Sequence, residues 1–148
     1  MDTNLPQDDW SGATPDLAPS AHVDTFPRDS LPAREEWPEL LFDLPDYRYP
    51  RRLNCAAELL DRNFERGRGD HPAIITPEET LTYRQLQERV NRICNVLTRD
   101  LGMVPGNRVM LRSANNAWMT ATYLAVLKAG GVVVATMPLA VMRWIMGR

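Results

Sequence analysis

Residues 108–136, RVMLRSANNAWMTATYLAVLKAGGVVVAT, decide the fold. Arg108-Val-Met-Leu-Arg112 follows a Pro105-Gly-Asn turn and reads as a strand. Asn115 or Asn116 then stands where a helix N-cap belongs. The helix it opens, to about Ala129, is apolar on nearly every side through Trp118, Met119, Ala121, Tyr123, Leu124, Val126 and Leu127. A helix of that kind is expected to be buried in a larger body. Gly130-Gly131 ends it, and Val132-Val-Val-Ala-Thr136 reads as a fully buried strand. Strand, helix and strand within roughly thirty residues make a βαβ unit, with parallel strands and a right-handed crossover. The predicted class is therefore α/β. A parallel pair needs helices on both faces and further strands beside it. The chain ends twelve residues after Thr136, so the expectation is an incomplete parallel sheet with flanking helices.

Upstream, Thr82-x-x-Gln85 has the form of a capping box. Beyond it Leu86, Val90, Ile93, Cys94, Leu97 and Leu101 recur at helical spacing, with Arg89, Arg92, Asn95 and Arg99 on the other face. Gly102 sits at the expected left-handed cap, which predicts a helix over 83–101. Earlier still, Asn54 is a candidate N-cap for a short amphipathic helix carrying Leu59, Leu60 and Phe64 and ending near Gly67 and Gly69. Ala73-Ile-Ile-Thr76 reads as a strand and Pro77-Glu-Glu-Thr80 as a turn to Leu81, together a small hairpin.

The whole chain has 148 residues, 44% hydrophobic and 24% charged, a length and composition for one globular domain. Net charge is −2, which offers no basic field for nucleic acid or an anionic membrane. The charge is divided along the chain. Residues 1–50 hold eleven Asp/Glu against three Arg, and residues 51–148 hold eight against fourteen basic residues. Eight of the twelve prolines also lie in the first fifty residues, a density that forbids a continuous helix or central strand. Residues 1–50 thus form an acidic arm, with 1–19 expected to be disordered; from the residues alone the arm reads as flexible to about Ala21 and extended after it. The cluster over 37–44 (WPELLFDL) could dock as a single helical turn.

No catalytic, cofactor-binding or metal-ligating residue is assigned. Cys55 and Cys94 lack metal-ligand spacing, and two cysteines rule out a disulfide scaffold. Neither His22 nor His71 has Cys, Asp or Glu in a ligand pattern, and Ser113 lacks a nucleophile elbow. Neither GxxxxGK[ST] nor GxGxxG occurs. Arg68-Gly69-Asp70 spells an adhesion tripeptide but reads as a helix end and turn. The N-terminus has neither a basic region nor an apolar run, so the predicted setting is cytoplasmic. Residues 117–142 are long enough to span a bilayer, yet Lys128, Gly130-Gly131 and Pro138 interrupt them.

Two stretches resemble something specific. Leu81-Thr-Tyr-Arg-Gln-Leu86 resembles the first core motif of the acyl-adenylate-forming ligases, a family of acyl-CoA synthetases, peptide-synthetase adenylation domains and luciferases. Leu127-Lys-Ala-Gly-Gly131 with the following valines resembles their second motif, and Gly102-x-x-Pro-Gly-Asn-Arg-Val-Met-Leu111 resembles the turn and strand between. The resemblance covers residues 53–139. In the arm, Ser20-Ala-His-Val-Asp-Thr-Phe26, Leu31-Pro-x-Arg-Glu-Glu-Trp-Pro38 and Asp46-Tyr-Arg-Tyr-Pro-x-Arg-Leu-Asn-Cys-Ala-Ala57 are similar to the start of 2-aminobenzoate–CoA and benzoate–CoA ligases. That implies a docked arm after about residue 20; residues 1–19 share no such likeness.

The resemblance implies adenylation of a carboxylate by ATP and Mg²⁺, then transfer of the acyl group to coenzyme A. It also implies that the phosphate loop ending in Pro-Lys-Gly, the metal-holding Thr-Glu pair, the ribose-binding Asp and the C-terminal lysine all lie beyond this chain. Lys128 falls in the second motif, where its expected part is to neutralise a helix C-terminus. The predicted organisation is arm 1–50, the start of a ligase domain over 51–139, and a divergent tail over 140–148, as from a truncated or frameshifted gene. Such a piece is expected to bind no cofactor and to be inactive alone, with the missing C-terminal part of the ligase as its partner. Two other readings stay open: a non-catalytic interaction module, and a membrane-associated protein through residues 117–145.

Overall fold

A computed structural model describes residues 19–38, 50 and 52–136. The segment 1–18, most of the 37–44 cluster and everything after Thr136 lie outside the described residues. In chain order come a helical turn α1 (Phe26–Asp29), a 3₁₀ turn (Arg34–Glu36) and a helix over 55–68. The hairpin strands β1 (Pro72–Ile75) and β2 (Thr80–Thr82) lead into helix α2 (Tyr83–Asn95). Strand β3 (Arg108–Arg112), helix α3 (Ala117–Lys128) and strand β4 (Val132–Thr136) complete the order.

The βαβ unit forms as the sequence predicts. Strands β3 and β4 pair in parallel, Arg108 opposite Val132 and Arg112 opposite Thr136. Asn116, rather than Asn115, caps α3: its side-chain oxygen accepts from the Met119 N–H at 2.8 Å. At the other end Gly130 takes φ +77°, a backbone turn that an L side chain would strain. The capping box of α2 is complete, with the Gln85 N–H reaching the Thr82 hydroxyl and the Thr82 N–H reaching the Gln85 side chain. Past Asn95 the helix continues as wider π turns over Val96–Asp100, and the Met103 N–H closes it on the Leu97 carbonyl. The 55–68 helix contains similar wide turns, Ala57–Asp61 and Phe64–Arg68. Strands β1 and β2 are antiparallel, as expected of the hairpin.

Seven buried side chains form the core: Leu60, Leu86, Val90, Leu97, Ala121, Ala125 and Val126. Leu86, Val90 and Leu97 lie on one stripe of α2 and its π-helical extension, which meets a stripe of small residues on α3 (Ala117, Ala121, Ala125). Alanine at every fourth position lets the two helix backbones approach closely. Val109 and Val133 pack the parallel pair onto the same cluster. Each fully buried leucine or valine contributes roughly 1.5–3 kcal/mol of burial.

Three expectations need correction. The arm after about Ala21 is not simply extended, since it carries the helical turn α1 and the 3₁₀ turn Arg34–Glu36. Helix α3 is not buried all round: Trp118 is 58% exposed, and Tyr123 is exposed as well. Strand β4 is not fully buried either; Val134 is 39% exposed and faces outward beside Met110, its register partner, at 70%. Side chains alternate across a strand, so a two-stranded sheet covered by α3 on one face leaves the other face bare. Among the described residues no helix is long and apolar enough to cross a membrane. The twelve residues of α3 reach about 18 Å, short of a bilayer core.

Candidate functional site

An open groove of about 500 Å³ lies where the β2 end of the hairpin meets α2 and α3. Glu79 and Thr80 come from the hairpin, Arg89, Arg92 and Ile93 from α2, and Trp118 from the first turn of α3. Arg89 holds it together. Its Nη1 and Nη2 donate to the two Glu79 carboxylate oxygens at 2.8 and 2.9 Å. Its guanidinium lies 4.4 Å from the centre of the Trp118 ring. The paired hydrogen bonds hold the Glu79 carboxyl below its ordinary value and raise Arg89 above its own. The sequence placed Arg89 on a solvated face. Its position, three residues after Leu86 and four before Ile93, on the border of the buried stripe, is the signal that this side chain has a partner.

This pair makes a pH prediction. A carboxyl whose folded value is lowered contributes stability above its unfolded value, and that contribution is lost as pH falls through the folded one. Glu79→Gln is therefore expected to lower the urea midpoint at neutral pH. The gap should close as pH falls below the ordinary value of 4.5. Equal gaps at pH 7 and pH 3 would contradict it.

In open parallel sheets, ligands sit in the crevice beyond the carboxyl ends of the strands. Here that edge carries Ser113, Asn116 and Thr136. Asn116 is engaged in the cap of α3 and donates to the Ser113 hydroxyl at 3.4 Å, while Thr136 Oγ1 donates to the Leu111 carbonyl at 3.3 Å. His22 packs beside Gly106, before the amino end of β3, whereas Ser113 follows its carboxyl end. Five strand residues, about 17 Å, separate the two, so the structure does not bring them together as nucleophile and base. Arg68-Gly69-Asp70 is a helix end and turn, tied down by the Arg84 N–H on the Gly69 carbonyl and by an Asp70–Arg84 ion pair.

Lys128 lies in the last turn of α3, yet its ammonium pairs with Asp61 at 2.8 Å. Gln87 donates to the same Asp61 oxygen. The last carbonyls of α3 are met instead by Asn54, whose Nδ2 donates to Leu127 and Lys128 at 3.2 and 3.1 Å. The same side chain accepts from the Ala56 and Ala57 N–H groups. Sequence reasoning found the cap at Asn54 but not this second half. Among the described residues no three His, Cys, Asp or Glu side chains converge to hold a metal ion.

Residues 60–141 match the family described as AMP-binding enzyme. Over 91 residues the chain is 34% identical to a benzoate–CoA ligase of Thauera aromatica, covering 62% of this chain and 17% of that protein. Among solved structures, the benzoate CoA ligase from Burkholderia xenovorans LB400 superposes with a TM-score of 0.54 at 28% identity, covering 65% of this chain and 20% of that one. The anthranilate CoA ligase AuaEII, solved in complex with anthranoyl-AMP, gives a TM-score of 0.54 at 26% identity, covering 62% and 18%. The chain spans about a sixth of the length of the curated relatives it matches. The matched range opens at Leu60 of the core and takes in the hairpin, α2 and the whole βαβ unit, so this chain belongs to the AMP-binding enzyme family, with the α/β fold of its adenylate-forming ligases.

Proposed function

We propose that these residues are the N-terminal part of an ATP-dependent aromatic-acid–CoA ligase, with arm 1–50, ligase-domain start 51–139 and a divergent tail 140–148. In that reaction a carboxylate oxygen attacks the α-phosphate of ATP, pyrophosphate leaves, and the thiol of coenzyme A then displaces AMP from the acyl carbon. Each step needs cations and N–H donors where negative charge develops on the phosphates. The observation carrying this reading is that residues 60–141, which match the family, include the parallel pair and the helix across it; the likeness to a benzoate–CoA ligase, 34% over 91 residues, supports the aromatic acid. The part played by residues 53–139 is to pack the sheet behind a site completed by other residues.

On this reading the chain alone does not adenylate. Its one lysine, Lys128, is paired with Asp61, and no loop ending in Pro-Lys-Gly occurs in the sequence. The purified chain is expected to show no ATP–pyrophosphate exchange with benzoate or 2-aminobenzoate. Measurable exchange by the chain alone would overturn the proposal. A second reading, an interaction module, is favoured by the outward-facing Met110 and Val134. Co-purification with a complementary ligase piece at fixed stoichiometry would support it.

A further inference from the structure

Among the described residues, the arm meets the body at the turn between residues 105 and 108. The Val23 and Asp24 N–H groups both donate to the Pro105 carbonyl, at 2.9 and 3.0 Å. Asp24 Oδ2 accepts from Asn107 Nδ2 at 3.0 Å and pairs with the Arg108 guanidinium. Asp24 Oδ1 accepts from the Phe26 N–H, which turns the Phe26 ring toward Arg108, whose guanidinium lies 4.7 Å from the ring centre. Gly106 is buried beneath the arm with φ +95°, and a Cβ placed there would sit 2.1 Å from the Asp24 carbonyl oxygen. Backbone, charge, ring and shape are all matched over five residues.

The turn that receives the arm also starts both strands of the parallel pair. The Gly106 N–H donates to the Gly130 carbonyl, and the Val132 N–H donates to the Asn107 carbonyl, each at 2.8 Å. Asn107 Oδ1 closes the turn on the Val104 N–H while its Nδ2 holds Asp24. We infer that residues 22–26 act as a latch, a recognition segment read through Asp24 and Phe26, which locks the 105–108 turn and with it the amino ends of β3 and β4. The charge of the docked segment supports this, since Asp24 of the arm pairs with Arg108 of the body. The inference is independent of the adenylation chemistry and concerns the arm's own docking.

Amide hydrogen exchange on the full chain, followed by mass spectrometry of peptic fragments, tests it. In the unaltered chain, fragments holding 23–24 and 105–108 are expected to exchange slowly. Asp24→Ala and Phe26→Ala should each speed exchange in both fragments by about tenfold or more, because charge-assisted contacts are lost. Fragments of α2 serve as the control and should not change. Gly106→Ala should expel the arm outright; if it also loosens α2, the two arm variants decide. An arm that exchanges at unprotected rates in the unaltered chain would overturn the latch. So would arm variants that leave the 105–108 fragment as slow as before.

Discussion

Leu60→Ala is expected to lower stability by about 2–5 kcal/mol, while Leu59→Ala one residue earlier should change it by less than about 0.5 kcal/mol. Both leucines sit on the 55–68 helix, and both are apolar in a pattern that reads as amphipathic. Leu60 is 1% exposed within the cluster made with α2 and α3, whereas Leu59 is 62% exposed. Truncating Leu60 removes buried methyl groups and leaves a cavity that the alanine-lined α2–α3 contact cannot fill by collapse. Urea midpoints of the two variants, at unchanged slope, check the contrast. Equal losses would mean that the 55–68 helix does not dock through Leu60.

Asn54→Asp makes the second large change, and its sign separates local from tertiary reasoning. At an N-cap, aspartate serves about as well as asparagine, so local reasoning expects no loss. Here the amide nitrogen also donates to the Leu127 and Lys128 carbonyls at the C-terminal end of α3. Aspartate would remove both donors and set a carboxylate against the negative end of that helix. A loss of about 1–3 kcal/mol is expected, with Asn54→Ala at least as damaging because the cap goes too. Thermal or urea unfolding reads it out; an Asn54→Asp variant as stable as the parent would refute the second role of this side chain.

Much of the local structure was legible because its causes are local. The capping box at Thr82 and Gln85, the cap at Asn116, the glycine at 130 and the valine run from 132 are short-range rules of backbone satisfaction and side-chain period. The end of the hydrogen-bonded helix at Leu101 and Gly102 is legible in the sequence, although its π turns are not. The groove was not legible. Glu79 and Arg89 stand ten residues apart on different elements, and Trp118 is further still. No periodicity links them until the hairpin folds against α2.

By itself, the sequence determined the order of elements from Asn54 onward, the parallel strand–helix–strand unit, the α/β class and the likeness to adenylate-forming ligases. Each of these follows from neighbours a few residues apart or from an ordered set of short motifs. Tertiary structure alone decided which face of α3 is buried, which side of β4 stays bare, and where Asn54, Arg89, Lys128 and Asp24 find their partners. A hydrogen bond or ion pair between different elements, ten residues apart for Arg89 and 67 to 84 for the others, depends on how helices and strands pack against one another, and packing is a property of the assembled core rather than of any segment.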